Sequence, residues 1–81
     1  MPYIDQALRD VIDRGMEQPN NPGQLNYVLT QVVKAYIERN DESYQTYNDI
    51  MGALEGCKLE LYRRMIAAYE DRKIEENGDC Y

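Results

Sequence analysis

The strongest candidate for a ligand-binding site in this 81-residue chain is one stretch that carries two aromatic rings beside several cations. Tyr62, Tyr69 and Lys73 recur at helical spacing, and Arg63 and Arg64 stand next to the first of them. Tyrosine rings stack on planar groups, and guanidinium forks bind phosphate. The pattern therefore predicts a binding site for a planar anionic ligand at these five residues.

The same stretch also fits an amphipathic helix whose tyrosines are half-buried and whose charges pair with one another. Glu60 and Arg64 are four residues apart, and so are Arg72 and Glu76. Oppositely charged side chains at this spacing meet on the surface of a helix. Both interpretations stay open from the sequence, and both require the stretch to be helical.

Residues that could catalyse a reaction are scarce. The chain has eight tyrosines but no histidine, which excludes Ser-His and Cys-His pairs and imidazole zinc sites. Ser43 is the single serine, and its place before a predicted helix suits an N-cap. Glu75, Glu76 and Asp79 lack a second acidic motif on a facing helix, and there is no Gly-rich phosphate loop. We therefore expect no enzyme activity, no metal site and no cofactor.

Composition limits the partner and the compartment. The net charge of −6 argues against a protein that coats nucleic acid non-specifically. Two cysteines, Cys57 and Cys80, do not make a disulfide scaffold, which favours a reducing compartment. No apolar run approaches the roughly 20 residues of a bilayer span, and residues 1–3 open no signal peptide. We expect a protein of the cytoplasm, of the host cell if a phage encodes it, with no membrane partner.

Three helices would position these residues. Apolar residues at helical spacing predict helices over about residues 4–18, 24–39 and 44–76, with a Pro/Asn/Gly loop over 19–23. Ser43 or Asp41 would cap the third helix, and Asn77-Gly78 would end it. We therefore expect a single all-α domain over residues 1–81, in which two shorter helices pack on one long C-terminal helix.

The third helix is too long for the other two to cover. About 30 helical residues extend roughly 45 Å, whereas 15 residues extend about 22 Å. Its apolar residues approach a heptad pattern, which favours a partner helix. From Asp41 to Glu55 every charged residue is acidic, and from Lys58 to Lys73 basic residues dominate, so an antiparallel partner would bring opposite charges together. We expect a homo-oligomer, with candidate interface residues Gly52, Gly56, Leu54, Leu61 and Met65.

Several blocks of the sequence resemble a known family. Leu25–Thr30, Lys58–Arg64, Tyr69–Lys73 and the ending Asn77-Gly78-Asp79-x-Tyr81 are similar to short proteins of unknown function from tailed phages and prokaryotic genomes. The resemblance covers most of the chain from Gln24 onward and implies no activity. The family is expected to carry proline at the position of Ala68, which leaves open whether the long helix breaks there. 

The family's specific ending draws attention to Tyr81. We expect its ring or its carboxylate to dock near Arg63 or Arg64, in the same chain or in a neighbour, which adds Tyr81 to the candidate ligand-binding residues.

Two functions follow as expectations. The first is a non-enzymatic interaction protein of phage type that docks a host or phage protein through its long helix. The alternative is a homo-oligomeric sponge that sequesters a small anionic nucleotide used as an immune signal, and so counters host defence.

Overall fold

The computed structural model describes residues 4–16 and 18–81. The expectation about residues 1–3 lies outside the described residues, as does Glu17 in the predicted first helix. By its internal contacts the chain divides into two units, Met1–Thr46 and Tyr47–Tyr81. The single domain over residues 1–81 stays a prediction.

The first helix, α1, covers Gln6–Arg14. It begins after Asp5, whose carboxylate accepts the backbone N–H of Leu8 at 2.9 Å and so caps the helix. It ends at Gly15, whose N–H still donates to a carbonyl of the last turn. The helix is therefore shorter than the expected 4–18, because an N-cap and a glycine close it at both ends.

The second helix, α2, covers Pro22–Asn40. The Asn21 side chain accepts the backbone N–H of Gln24 at 2.8 Å, which places the proline at the first helical position. Proline is well suited to that position because its missing N–H would have no partner there. The expected loop over 19–23 is corrected accordingly: its last two residues already belong to the helix, which begins before residue 24.

The third helix runs without a break from Tyr44 to Asn77, a length of 34 residues. It consists of α3 (Tyr44–Leu61), a π-helical turn (Tyr62–Ile66) and α4 (Ala67–Asn77). In the π turn the N–H of Ala67 donates to the carbonyl of Tyr62, five residues back. The chain stays helical through Ala68, and the irregularity lies just before it.

Local hydrogen bonds set both ends of this helix as the sequence predicts. Ser43 Oγ accepts the backbone N–H of Thr46 at 3.0 Å, and Thr46 Oγ1 donates to the carbonyl of Asp41 at 2.8 Å. At the other end, Gly78 takes a positive φ of 86°, and its N–H donates to the carbonyl of Ile74 at 2.8 Å. The serine N-cap and the glycine stop are therefore confirmed.

The all-α prediction is confirmed: the described residues are 81% helical, and they form three helices, of which the last is long, and no strand. Its apolar side chains are mostly exposed. Among the described residues, Ile50 is the one buried apolar side chain, at 8% exposure, while 22 large apolar side chains are exposed. Most large apolar side chains of the described residues are therefore exposed.

Candidate functional site

The two candidate arginines converge on one carboxylate. Arg64 Nε lies 2.6 Å from Glu60 Oε2, and Arg63 Nη1 lies 3.9 Å from Glu60 Oε1. The hydrogen bond from Arg64 lowers the pKa of Glu60 below its ordinary value, and the charges of Arg64 and Arg63 act in the same direction. The predicted Glu60–Arg64 pair is confirmed. The guanidinium group of Arg64, which would have to bind a phosphate, is therefore already paired with a carboxylate.

Tyr69 is flanked by two cations. Arg72 Cζ lies 5.7 Å and Lys73 Nζ 5.4 Å from the centre of its ring, within the range of a cation–π interaction. Lys73 Nζ also lies 3.2 Å from Glu76 Oε2. The expected pair of Arg72 with Glu76 is corrected: Lys73, three residues from Glu76, takes that carboxylate, while Arg72 lies over the ring.

The last residues fold back along α4 and form a shallow cavity of about 350 Å³. The positive φ of Gly78 reverses the chain, and the N–H of Tyr81 then donates to Asp79 Oδ1 at 2.8 Å. The cavity brings together Tyr69, Lys73 and Tyr81, three of the six candidate ligand-binding residues. 

The other three candidates, Tyr62, Arg63 and Arg64, lie outside the lining of this cavity. Its lining includes two carboxylates, Glu70 and Asp79, against the single cation of Lys73. The expected contact of Tyr81 with an arginine is therefore not made at this cavity, and its lining carries a net negative charge.

The five candidate interface residues lie on two faces of the long helix. Each residue of an α-helix is rotated by about 100° from the one before it. Leu54 is therefore about 160° around the helix from Gly52, and Leu61 about 140° from Gly56. A Cβ added at either glycine would meet nothing within 4 Å, so the glycine face is open space. The glycines and the leucines cannot share one narrow contact.

The leucines belong to a line of apolar side chains that we call the seam: Tyr47, Ile50, Leu54, Leu61, Ile66 and Tyr69. Up to Leu61 the spacing is three, four and seven residues, as on any amphipathic α-helix. Ile66 is five residues beyond Leu61, which in a regular helix would place it on another face. The π turn, in which a backbone hydrogen bond spans five residues instead of four, accommodates one extra residue and so returns Ile66 to the face of Leu61.

The π turn changes which residues continue the apolar face. A regular helix would continue it through Met65 and Ala68, as the heptad pattern predicts. With the π turn it continues through Ile66 and Tyr69, and Ile66 is 39% exposed where Met65 is 65% exposed. Met65 is thus displaced from the face of Leu54 and Leu61. The sequence contained one indication of this shift, since the spacing of Ile66 and Tyr69 places them on one helix stripe beside the predicted heptad pattern.

The first unit holds a second cavity, of about 720 Å³, which the sequence did not predict. One face of α2 and the residues before it line the cavity, and no lining side chain is charged. The lining residues are Gln18, Pro19, Gly23, Gln24, Tyr27, Val28, Gln31, Val32 and Ala35. The i, i+3, i+4 spacing of the helical members marks a continuous, uncharged helix face.

Residues 4–16 and 18–81 limit the kinds of site that the described part of the chain can form. No group of three or more His, Cys, Asp or Glu side chains could hold a metal ion there. No helix in that part is long and apolar enough to cross a bilayer. Cys57 and Cys80 are free and exposed.

The chain belongs to the family described as "Domain of unknown function (DUF6899)", whose model matches residues 1–80. The resemblance to a family of unknown function is confirmed at that level. No curated protein and no solved structure matches the chain.

Proposed function

We propose that the protein is a non-enzymatic interaction module of phage type, which docks a host or phage protein through the seam of its long helix. One observation carries the proposal: the seam is a line of six apolar side chains along the helix, and all of them except Ile50 are exposed in the single chain. Large exposed apolar surfaces are typical of protein–protein contacts. Helix-in-groove recognition uses apolar residues at this spacing.

The flanking charges support a protein partner. The two arginines beside the seam hold Glu60, and Lys73 holds Glu76. Such exposed pairs form a polar border around an apolar line, as in interfaces with an apolar core and a polar rim. The chain has a single serine, Ser43. Its Oγ accepts the backbone N–H of Thr46 and so caps the long helix.

The nucleotide sponge has less support. The observation that most favours it is Tyr69, whose ring lies beside two cations and lines the cavity of about 350 Å³ near the last residues. However, two carboxylates line that cavity against one lysine, which opposes an anionic ligand. A sponge would bind added nucleotides in a fixed ratio to chains by native mass spectrometry, and a docking module would bind none.

Site-specific photo-crosslinking in the producing cell tests the docking proposal. A photoreactive phenylalanine analogue would replace Leu54 or Leu61 on the seam, or Leu59 as the matched control. Leu59 is exposed on the same helix, about 160° around it from Leu61. We expect protein adducts from the two seam positions and few from Leu59. Equal yields at all three positions, or no adducts from the seam, would overturn the proposal.

A further inference from the structure

We propose that the seam pairs with a second copy of this chain, the two long helices lying antiparallel. The inference rests on the proposed docking role of the seam and adds that a second copy of the chain is the protein that first binds there. A host or phage partner would then exchange with the second copy, because both use the same apolar line.

The seam needs cover whenever the chain is folded. Among the described residues only Ile50 is a buried apolar side chain, and isolated helices gain little stability in water without a packed face. Small domains that cannot build a sufficient core commonly oligomerise. A second copy is a partner that is present wherever the chain is made.

The area of the seam matches what a dimer needs. Tyr47, Leu54, Leu61, Ile66 and Tyr69 are between 39% and 52% exposed, and Met51 and Tyr62 at the edge are 66% and 50% exposed. If about 200 Å² is taken for every one of these side chains, the middle of the 150–250 Å² range of aromatic side chains, the exposed area available to a partner is on the order of 700 Å² per copy. Stable interfaces bury about 800 Å² on each partner. In a two-fold dimer both copies supply the same patch, so one seam suffices for both sides.

Charge along the helix selects the antiparallel arrangement. Residues 47–57 contain Asp49 and Glu55 and no basic residue, a net charge of −2. Residues 58–73 contain five basic residues against three acidic ones, a net charge of +2. An antiparallel pair places the acidic half of each copy beside the basic half of the other. A parallel pair would place like charges together, which is unfavourable.

Two matched pairs of variants test whether the seam is the dimer contact. Leu61→Gln is on the seam and Leu59→Gln is on the opposite face, while Ile66→Gln and Met65→Gln distinguish the π phase from a regular helix. Sedimentation equilibrium should show twice the 9.5 kDa chain mass for the parent protein. We expect the two seam variants to raise the dimer dissociation constant by about tenfold or more, and the two controls to change it by less than about threefold. Equal effects within either pair would overturn the inference.

A distance measurement tests the orientation with all six seam residues unchanged. A spin label at Glu75→Cys, with Cys57 and Cys80 replaced by serine, reports the separation of the two helix ends. Since residue 75 lies about 14 positions from the helix midpoint, an antiparallel dimer places the two labels about 40 Å apart. A parallel dimer places them within about 20 Å. The shorter distance would overturn the antiparallel arrangement even if a seam variant failed to fold.

The outcomes separate this inference from the docking function. A parent protein that is monomeric and helical, yet crosslinks to another protein from Leu54 and Leu61, would overturn the second copy and leave the docking function standing. A dimer whose seam positions crosslink only to a second copy would support the inference and overturn docking of a different protein.

Discussion

Glu60 connects two side chains across the start of the π turn. Its carboxylate holds Arg64 at 2.6 Å and Arg63 at 3.9 Å, and its side chain is only 27% exposed. Residue 60 lies in the last turn of α3 and both arginines lie in the π turn. The ion pairs therefore fasten the irregular turn to the regular helix that precedes it.

The Glu60 pairing should make stability depend on pH. The folded-state pKa of Glu60 is lowered, chiefly by the hydrogen bond from Arg64. Between the folded and unfolded pKa values the unfolded chain binds more protons, so the contribution is present above the unfolded pKa and is lost as pH falls through the folded one. We expect Glu60→Gln to lower the thermal midpoint at neutral pH and to have little effect in strong acid.

The control for this prediction removes the donor. In an Arg64→Gln background, Glu60→Gln should show a much smaller pH-dependent difference, because the largest cause of the pKa shift is gone. The measurement is thermal unfolding followed by circular dichroism across the acid range. An undiminished difference in that background would contradict the assignment of the shift to Arg64.

The glycines at 52 and 56 allow a separate prediction about the face opposite the seam. A Cβ at either position would meet nothing within 4 Å, and alanine is better than glycine in a helix interior by about 1 kcal/mol. We expect Gly52→Ala and Gly56→Ala each to raise the free energy of unfolding by up to that amount, measured with urea. A loss of stability or of self-association would instead mean that a backbone packs closely on this face, as the sequence alone suggested.

At the scale of the element, the π turn determines the course of the apolar face. Deleting one residue from a π turn leaves a regular α-helix, whereas deleting one from an α-helix rotates everything beyond it by about 100°. Deletion of Met65 should therefore keep the seam in line, since Leu61 and Ile66 would then be four residues apart. Deletion of Ala53, an exposed residue of α3, should rotate Leu54 and Leu61 by about 100° around the helix relative to Tyr47.

Sedimentation equilibrium of these two deletion variants checks the prediction. We expect the Met65 deletion to change the dimer dissociation constant by less than about threefold and the Ala53 deletion to raise it by about tenfold or more. The reverse order would mean that the long helix is regular in solution and that Met65, not Ile66, continues the face.

The ends of the helices could be predicted from sequence because their causes are local. Ser43 caps and Gly78 stops the long helix through hydrogen bonds to residues three or four positions away. Pro22 misled the prediction, since the same residue that breaks a helix interior also suits a first turn. Whether Pro22 breaks or begins a helix depends on its neighbour in sequence, because the side chain of Asn21 caps the helix there.

The π turn and the cavities could not be predicted in the same way. The Tyr62–Ile66 segment contains no glycine or proline, and π and α turns differ only in which carbonyl accepts each N–H. The sequence therefore assigned the face to Met65 and grouped Gly52 with Leu54. The cavity of about 350 Å³ also depends on the positive φ of Gly78, and Arg63 lies outside its lining.

At the scale of the whole molecule, folding and self-association should be coupled. A domain of this size usually buries roughly 60% of its unfolded surface, yet nearly every large apolar side chain in the described residues is exposed. Chains with so little internal core gain their apolar burial from contacts with other chains. Folding of this protein should therefore depend on its concentration.

The most direct test of the account is urea unfolding of the parent protein at two chain concentrations, followed by circular dichroism. If the seam is covered by a second copy, the apparent free energy of unfolding per mole of dimer should rise by about 2.7 kcal/mol for a hundredfold increase in chain concentration. The Leu61→Gln variant should show less of this dependence than Leu59→Gln. An unfolding midpoint that is the same at both concentrations, with full helical content in a monomer, would contradict the claim that the seam needs a protein to cover it.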